Sequence, residues 1–169
     1  MKLLLIVIFL LFPTFSEAQK SIEVHSDLFT KARDLSIIVN GQNRGITPAT
    51  LSLQQGHNYD IELRNSANNK VSRFEFRIKE VQPQNSQASL PSWYRNPNTL
   101  QNKYSGMQLY SSIGKSRSME ISFNKAIHDA VRKAGGSNAI DAAGLDLLVA
   151  EVNITGNYYE VYLLMGKRS

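Results

Sequence analysis

The chain of 169 residues contains no cysteine. That excludes a disulfide scaffold, a Cys-ligated zinc site, a thiol nucleophile and a lipid anchor on cysteine. Proline is scarce, at five residues, and tryptophan occurs once. Hydrophobic residues make up 42% and charged residues 20%, a balance that excludes collagen-like, coiled-coil and fully disordered chains. Only one long apolar run exists, Leu3 to Phe12. It is about half of the roughly twenty residues a membrane-spanning helix needs.

That run sits behind Lys2 and is broken by Pro13, and Ser16-Glu17-Ala18 supplies small residues at the −3 and −1 positions of a cleavage site. This layout predicts a secretory signal peptide over 1–18, cut between Ala18 and Gln19. The segment carries one Lys and one Glu, so the formal charge of +5 survives its removal. An extracytoplasmic product, periplasmic or secreted, has no ready supply of ATP or reduced nicotinamide, which disfavours nucleotide-driven chemistry.

The mature chain is written in two styles, divided at 82–89 by the polar, uncharged stretch Gln82-Pro83-Gln84-Asn85-Ser86-Gln87-Ala88-Ser89, which reads as a linker. Over 19–81 the apolar period is two: Leu35, Ile37, Val39; Leu51 and Leu53; Tyr59, Ile61, Leu63; Phe74, Phe76, Ile78. Each is a half-buried strand with one wet face, and Asn40-Gly41, Gly45, Gly56 and Asn65 punctuate them. An antiparallel sandwich of five to seven strands is expected. Over 90–169 the period changes. Met119, Phe123, Ala126, Ile127, Ala130 and Ala134 mark one face of a helix, with Ser118 as its cap and Gly135-Gly136 as its end. A short helical piece near Asn138 to Ala143 is expected to follow. Leu147–Val152 and Tyr158–Met165 then predict a hairpin joined through Asn153 to Asn157. The fold class is therefore mainly β plus α+β: a small antiparallel β-sandwich followed by a compact α+β module with one main helix and a C-terminal hairpin.

Two resemblances attach to these segments. Ile38-Val39-Asn40-Gly41-Gln42-Asn43-Arg44-Gly45-Ile46-Thr47-Pro48, with Gly56-His57-Asn58-Tyr59 later, resembles the PEGA-type module, a small extracytoplasmic β-sandwich. Leu90-Pro91-Ser92-Trp93-Tyr94-Arg95-Asn96-Pro97, the strand Leu109 to Gly114, the Ala-bearing helix and Tyr158-Tyr159-Glu160-Val161-Tyr162-Leu163-Leu164 together resemble the twenty-kilodalton envelope lipoprotein family and its relatives in flagellar outer-membrane assembly. This chain departs from that family in lacking the lipid-accepting cysteine. The resemblances imply a bacterial cell-envelope protein engaged in structure, assembly or adhesion, rather than in catalysis.

The chemical candidates point the same way. Gly114-Lys115-Ser116 lacks the earlier glycine of a phosphate loop, since position 109 is Leu, and reads as a strand-to-helix turn. His25, His57 and His128 stand too far apart for a local metal site. No serine lies in an activating motif, and His128 and Asp129 point about 100° apart on a helix. Asp141, Asp146 and Glu151 are acids whose placement across a cleft the sequence leaves open. Arg73, Arg77 and Lys79 alternate with Glu75 and Glu80, a mixed wet face rather than a basic nucleic-acid stripe. Asn153-Ile154-Thr155 fits a glycosylation acceptor, but in a bacterial protein it is a hairpin turn.

No catalytic residue, metal ligand or cofactor is expected. Candidate partner contacts are Trp93 and Tyr94, placed where an extended segment meets the second module, and Tyr159 and Tyr162 in the last strand. Tyr158 to Met165 is large and apolar at nearly every position, with Glu160 its only charge, so both faces need cover: one from the helix, the other from the sandwich or a partner. The expectation is a non-enzymatic protein that binds envelope proteins or itself; the alternative is a periplasmic hydrolase of cell-wall or glycan substrates, its residues converging only in three dimensions.

Overall fold

The structure, a computed structural model, describes residues 21–81, 90–136 and 144–168. The expected signal peptide and its cut at Ala18-Gln19, the 82–89 linker, and the helical piece near Asn138 to Ala143 with Asp141 lie outside those residues.

The period-two segments are strands: β1 (Ser21–His25), β2 (Ser36–Val39), β3 (Gln42–Ile46), β4 (Thr50–Gln54), β5 (Asn58–Arg64) and β6 (Lys70–Glu80). Asn40 and Gly41 both take positive φ, 49° and 79°, and Val39 pairs with Gln42 across them, as a two-residue type I′ turn requires. Thr47, beside the cis Thr47-Pro48 bond, is buried. Its hydroxyl donates to the Ala32 carbonyl and accepts from the Leu35 amide.

The second half gives α1 (Ser92–Arg95), a 3-10 turn at Pro97–Leu100, β7 (Met107–Ser116), α2 (Met119–Lys133), β8 (Asp146–Thr155) and β9 (Tyr158–Arg168). Ser118 caps α2 by accepting from the Ile121 amide. The β8–β9 connection corrects the expected five-residue loop. Thr155 pairs with Tyr158, leaving only Gly156-Asn157 in the turn, with Gly156 at φ 57°. Ile154 and Thr155 are β-branched and extend the ladder, so Asn153 lies buried in a strand rather than in a turn. Gly114-Lys115-Ser116 likewise ends strand β7, and the helix begins beyond it at Met119.

β1 and β4 pair as a ribbon, and the other strands form one seven-stranded sheet in the order β3-β2-β5-β6-β8-β9-β7. Strands from both sides of residues 82–89 therefore share a sheet, joined where β6 runs parallel to β8, Glu75 beside Val149 to Glu80 beside Ile154. One face of the sheet is covered by the ribbon and by α2. Phe74, Phe76 and Ile78 meet Val24, Leu51 and Leu53 from the ribbon and Phe123, Ala126 and Ala130 from the helix. The Phe29 ring lies 4.8 to 5.9 Å from those of Phe74, Phe76 and Phe123 and ties the three layers together. Each such side chain removed from water contributes about 1.5–3 kcal/mol.

Over β9 the opposite face is also covered. Tyr162 and Leu164, with Leu109 and Val149, pack beneath Trp93, Tyr94, Leu100 and Tyr104. Both faces of β9 are thus closed by this chain's own residues, α2 on one side and the segment 90–104 on the other. Gly114 sets how closely the helix approaches. A Cβ there would lie 1.9 Å from the Ser122 carbonyl oxygen. Beside it, the Ser122 hydroxyl donates to the carbonyl of Tyr159 at 2.9 Å.

Candidate recognition groove

Strand alternation that sends Phe74, Phe76 and Ile78 inward sends Arg73, Glu75, Arg77 and Lys79 to the other face, beside Asn58, Asp60, Glu62 and Arg64 of β5. Most of these charges are paired. Arg73 grips Asp60 through Nε at 2.9 Å and Nη2 at 2.5 Å, and holds its carboxyl below the usual carboxylate range. Arg64 meets Glu62 at 2.6 Å, Lys103 reaches across to Glu75, and Arg77 Nε donates to Asn58 Oδ1.

Where β6 meets β8 the face becomes a groove of about 580 Å³, walled by Leu90, Pro91 and Trp93 and floored by Arg77, Lys79 and Glu151. Glu151 is only 5% exposed. A buried carboxylate needs a partner, and Lys79 Nζ supplies it at 2.6 Å. Glu151 stands opposite Tyr162 on β9, whose hydroxyl donates to Glu160 at 3.0 Å, while Lys115 reaches the other Glu160 oxygen at 2.6 Å. Burial first, then the bond to Glu160, pushes the Tyr162 phenol well above its ordinary range. At neutral pH it is therefore a hydrogen-bond donor and not a nucleophile. The Tyr94 ring meets it edge-on at 5.1 Å. With Tyr162 buried on the neighbouring strand, the groove floor sets Arg77 and Lys79 beside the Glu151 carboxylate. Chemically it can hold polar or charged groups beside an aromatic wall.

The expected contact residues divide. Trp93, 8% exposed, and Tyr162, 1% exposed, are core members, although Trp93 also lends its edge to the groove. Tyr94 and Tyr159 are half-buried, the first over Tyr162 and the second against the main core. Tyr158, not among them, is the exposed tyrosine at 40%, with Lys115 and Arg117 5.6 and 5.5 Å from its ring.

The histidines stay apart. His25 Nδ1 lies 3.5 Å from Asp27, His57 contacts the Gln55 carbonyl and Tyr59, and His128 sits on α2. Among the described residues no three His, Asp or Glu side chains could hold a metal ion. Asp146 pairs with Arg168 at the start of β8. Five strand residues, roughly 16 Å, separate it from Glu151, too far for paired glycosidase carboxylates. The Lys79–Glu151 pair in the groove and the Lys103–Glu75 pair at its margin were not revealed by the sequence, whose only signal was the alternation of charges along β6.

Comparison with protein-family models, with curated proteins and with solved structures finds no match. The resemblances to the PEGA-type module and to the envelope lipoprotein family rest on the quoted motifs alone. The described residues form a β-rich α+β fold with two sheets, one main helix and a C-terminal hairpin. No helix among the described residues is long and apolar enough to cross a membrane, and no cysteine is present to carry a lipid.

Proposed function

We propose that this is an exported cell-envelope protein that acts in structure, assembly or adhesion by binding other proteins through the charged face and its groove, without catalysis. The observation that carries the reading is the groove: an apolar wall of Leu90, Pro91 and Trp93 beside a ring of ordered charges. An apolar wall beside hydrogen-bonding charges offers a partner both contact area and polar recognition. Its buried carboxylate is held by Lys79, which suits recognition better than proton transfer. The terminal run Leu3 to Phe12 supports export, and both resemblances support an envelope role.

The test is a photo-crosslinking residue at Glu80 on the groove rim, with Lys31 on the far side as control, in cells that make the full chain. A discrete protein adduct at position 80, absent at 31 and lost in Arg77→Glu, is the expected result. Equal labelling at both positions overturns the groove as the contact. N-terminal sequencing of the exported protein should begin at Gln19.

A second reading, a cell-wall or glycan hydrolase, has one observation in its favour: Glu75, Glu80 and Glu151 all line the groove. Release of soluble fragments from purified peptidoglycan, abolished by Glu151→Gln, would establish it in place of the first.

A further inference from the structure

The seven-stranded sheet ends in two edges, β3 and β7. They are treated very differently. β3 is five residues long, exposed throughout, and its pairing with β2 is interrupted by a register shift. A short, bulged edge is a poor template for another strand. β7 is ten residues long and pairs with β9 from Met107 to Ser116 without a shift. It has no proline and a single charge, Lys115. Low charge, the absence of proline and an uninterrupted edge favour pairing of a segment with copies of itself.

That edge is nevertheless occupied. In an antiparallel strand the N–H and C=O of one residue point the same way, so alternate residues of β7 turn their backbone groups away from β9. The side chains that meet them come from α2 and from the segment before β7. Lys133 Nζ donates to the Ser111 carbonyl at 2.7 Å, and Lys125 Nζ to the Lys115 carbonyl at 3.1 Å. The Ile113 N–H faces the Asp129 carboxylate, and Gln101 Nε2 donates to the Met107 carbonyl at 2.9 Å. Lys125, Asp129 and Lys133 are spaced four apart, one row on the helix. Arg132 and Lys133, both 2.8 Å from Asp129, hold its carboxylate in place.

We infer that this row is an edge guard: it keeps β7 closed to a second copy of the chain, and its removal opens a self-pairing surface along β7. The occupant is a second copy because β7 opposed to itself antiparallel places Lys115 toward the other strand's Met107 end, away from its own like charge. The inference stands apart from the groove and its partner.

The test replaces the row by Lys125→Met, Asp129→Ala and Lys133→Met, which remove the polar groups and retain helix-forming residues. Light scattering is expected to give at least twice the wild-type mass, with the helical circular dichroism signal kept. Lys125→Arg with Lys133→Arg, which keeps both donors, should retain the wild-type mass. Adding Ser111→Pro to the triple variant should restore it, because the Ser111 N–H faces away from β9 and its loss spares the internal ladder. A folded triple variant of wild-type mass overturns the inference. Should the triple variant unfold, the single Asp129→Ala variant decides by amide exchange. Ile113 should exchange at least tenfold faster while Ser112 and Gly114, bonded to β9, stay slow; an unchanged Ile113 rate overturns the guard.

Discussion

Gly114→Ala adds one methyl group to a strand, and the structure gives its consequence in ångströms. The new Cβ would lie 1.9 Å from the Ser122 carbonyl oxygen, 2.7 Å from the Ala126 nitrogen and 2.9 Å from the Ser122 carbonyl carbon. All three are backbone atoms of α2, so no side chain can swing aside. Restoring an ordinary 3.4 Å contact to the Ser122 oxygen means moving the helix, or the strand beneath it, by about 1.5 Å. A radial gap of about 0.5–1 Å already forfeits a quarter to a half of a dispersion contact. Phe123, Ala126 and Ala130 are fully packed on the sheet and would all feel the gap, and the Ser122 bond to Tyr159 would break. Overpacking costs about 1–3 kcal/mol where neighbours adjust; with rigid backbone opposite, about 3 kcal/mol is expected. For a chain of this size that lowers Tm by roughly 6–12 °C. Gly166→Ala is the control, because its nearest atoms are the side-chain ends Leu148 Cδ1 and Met107 Sδ, each at 2.9 Å; a loss of about 1 kcal/mol or less is expected there. Urea unfolding followed by circular dichroism measures both. If Gly114→Ala proves no more costly than Gly166→Ala, the close approach of α2 is not what holds the glycine.

Four further outcomes are expected. Trp93→Ala strips the cover from Tyr162 and Leu164 and should cost about 3–5 kcal/mol; Trp93→Phe should cost less than half of that in the same urea titration. Lys79→Met leaves the Glu151 carboxylate buried without its partner. Because Lys79 is partly exposed, a loss of about 2 kcal/mol is expected, and Glu151→Gln in the same chain should recover most of it. In alkali, the raised Tyr162 phenol makes the folded state hold a proton that the unfolded chain releases near pH 10. Its contribution is therefore complete below pH 10 and lost as pH rises beyond it, and Tyr162→Phe should flatten that decline. In acid, Asp60 runs the other way: its carboxyl is held below 3.8 by Arg73, so its share is present above that pH and lost as pH falls past it.

Local chemistry was legible wherever neighbours in the chain decide the outcome. Asn40-Gly41 is a turn because those two residues tolerate positive φ, and Ser118 starts α2 because its hydroxyl can accept from an orphan amide. The alternation in β5 and β6 told the inner face from the wet one, since a strand's side chains can point only two ways. The nearly continuous apolar run in β9, broken only by Glu160, announced burial on both faces, and the structure supplies the covers, α2 and the Trp93 segment. What the sequence could not show is which distant segments meet. Glu75 lies beside Val149 because β6 and β8 run parallel, and parallel strands are joined by no local turn whose residues could announce them. The pairing of Lys79 with Glu151, 72 residues apart, follows only from that contact, and so does the groove between them. Gly114 read as a turn residue; only the helix lying across β7 made it a position where a methyl group has no room.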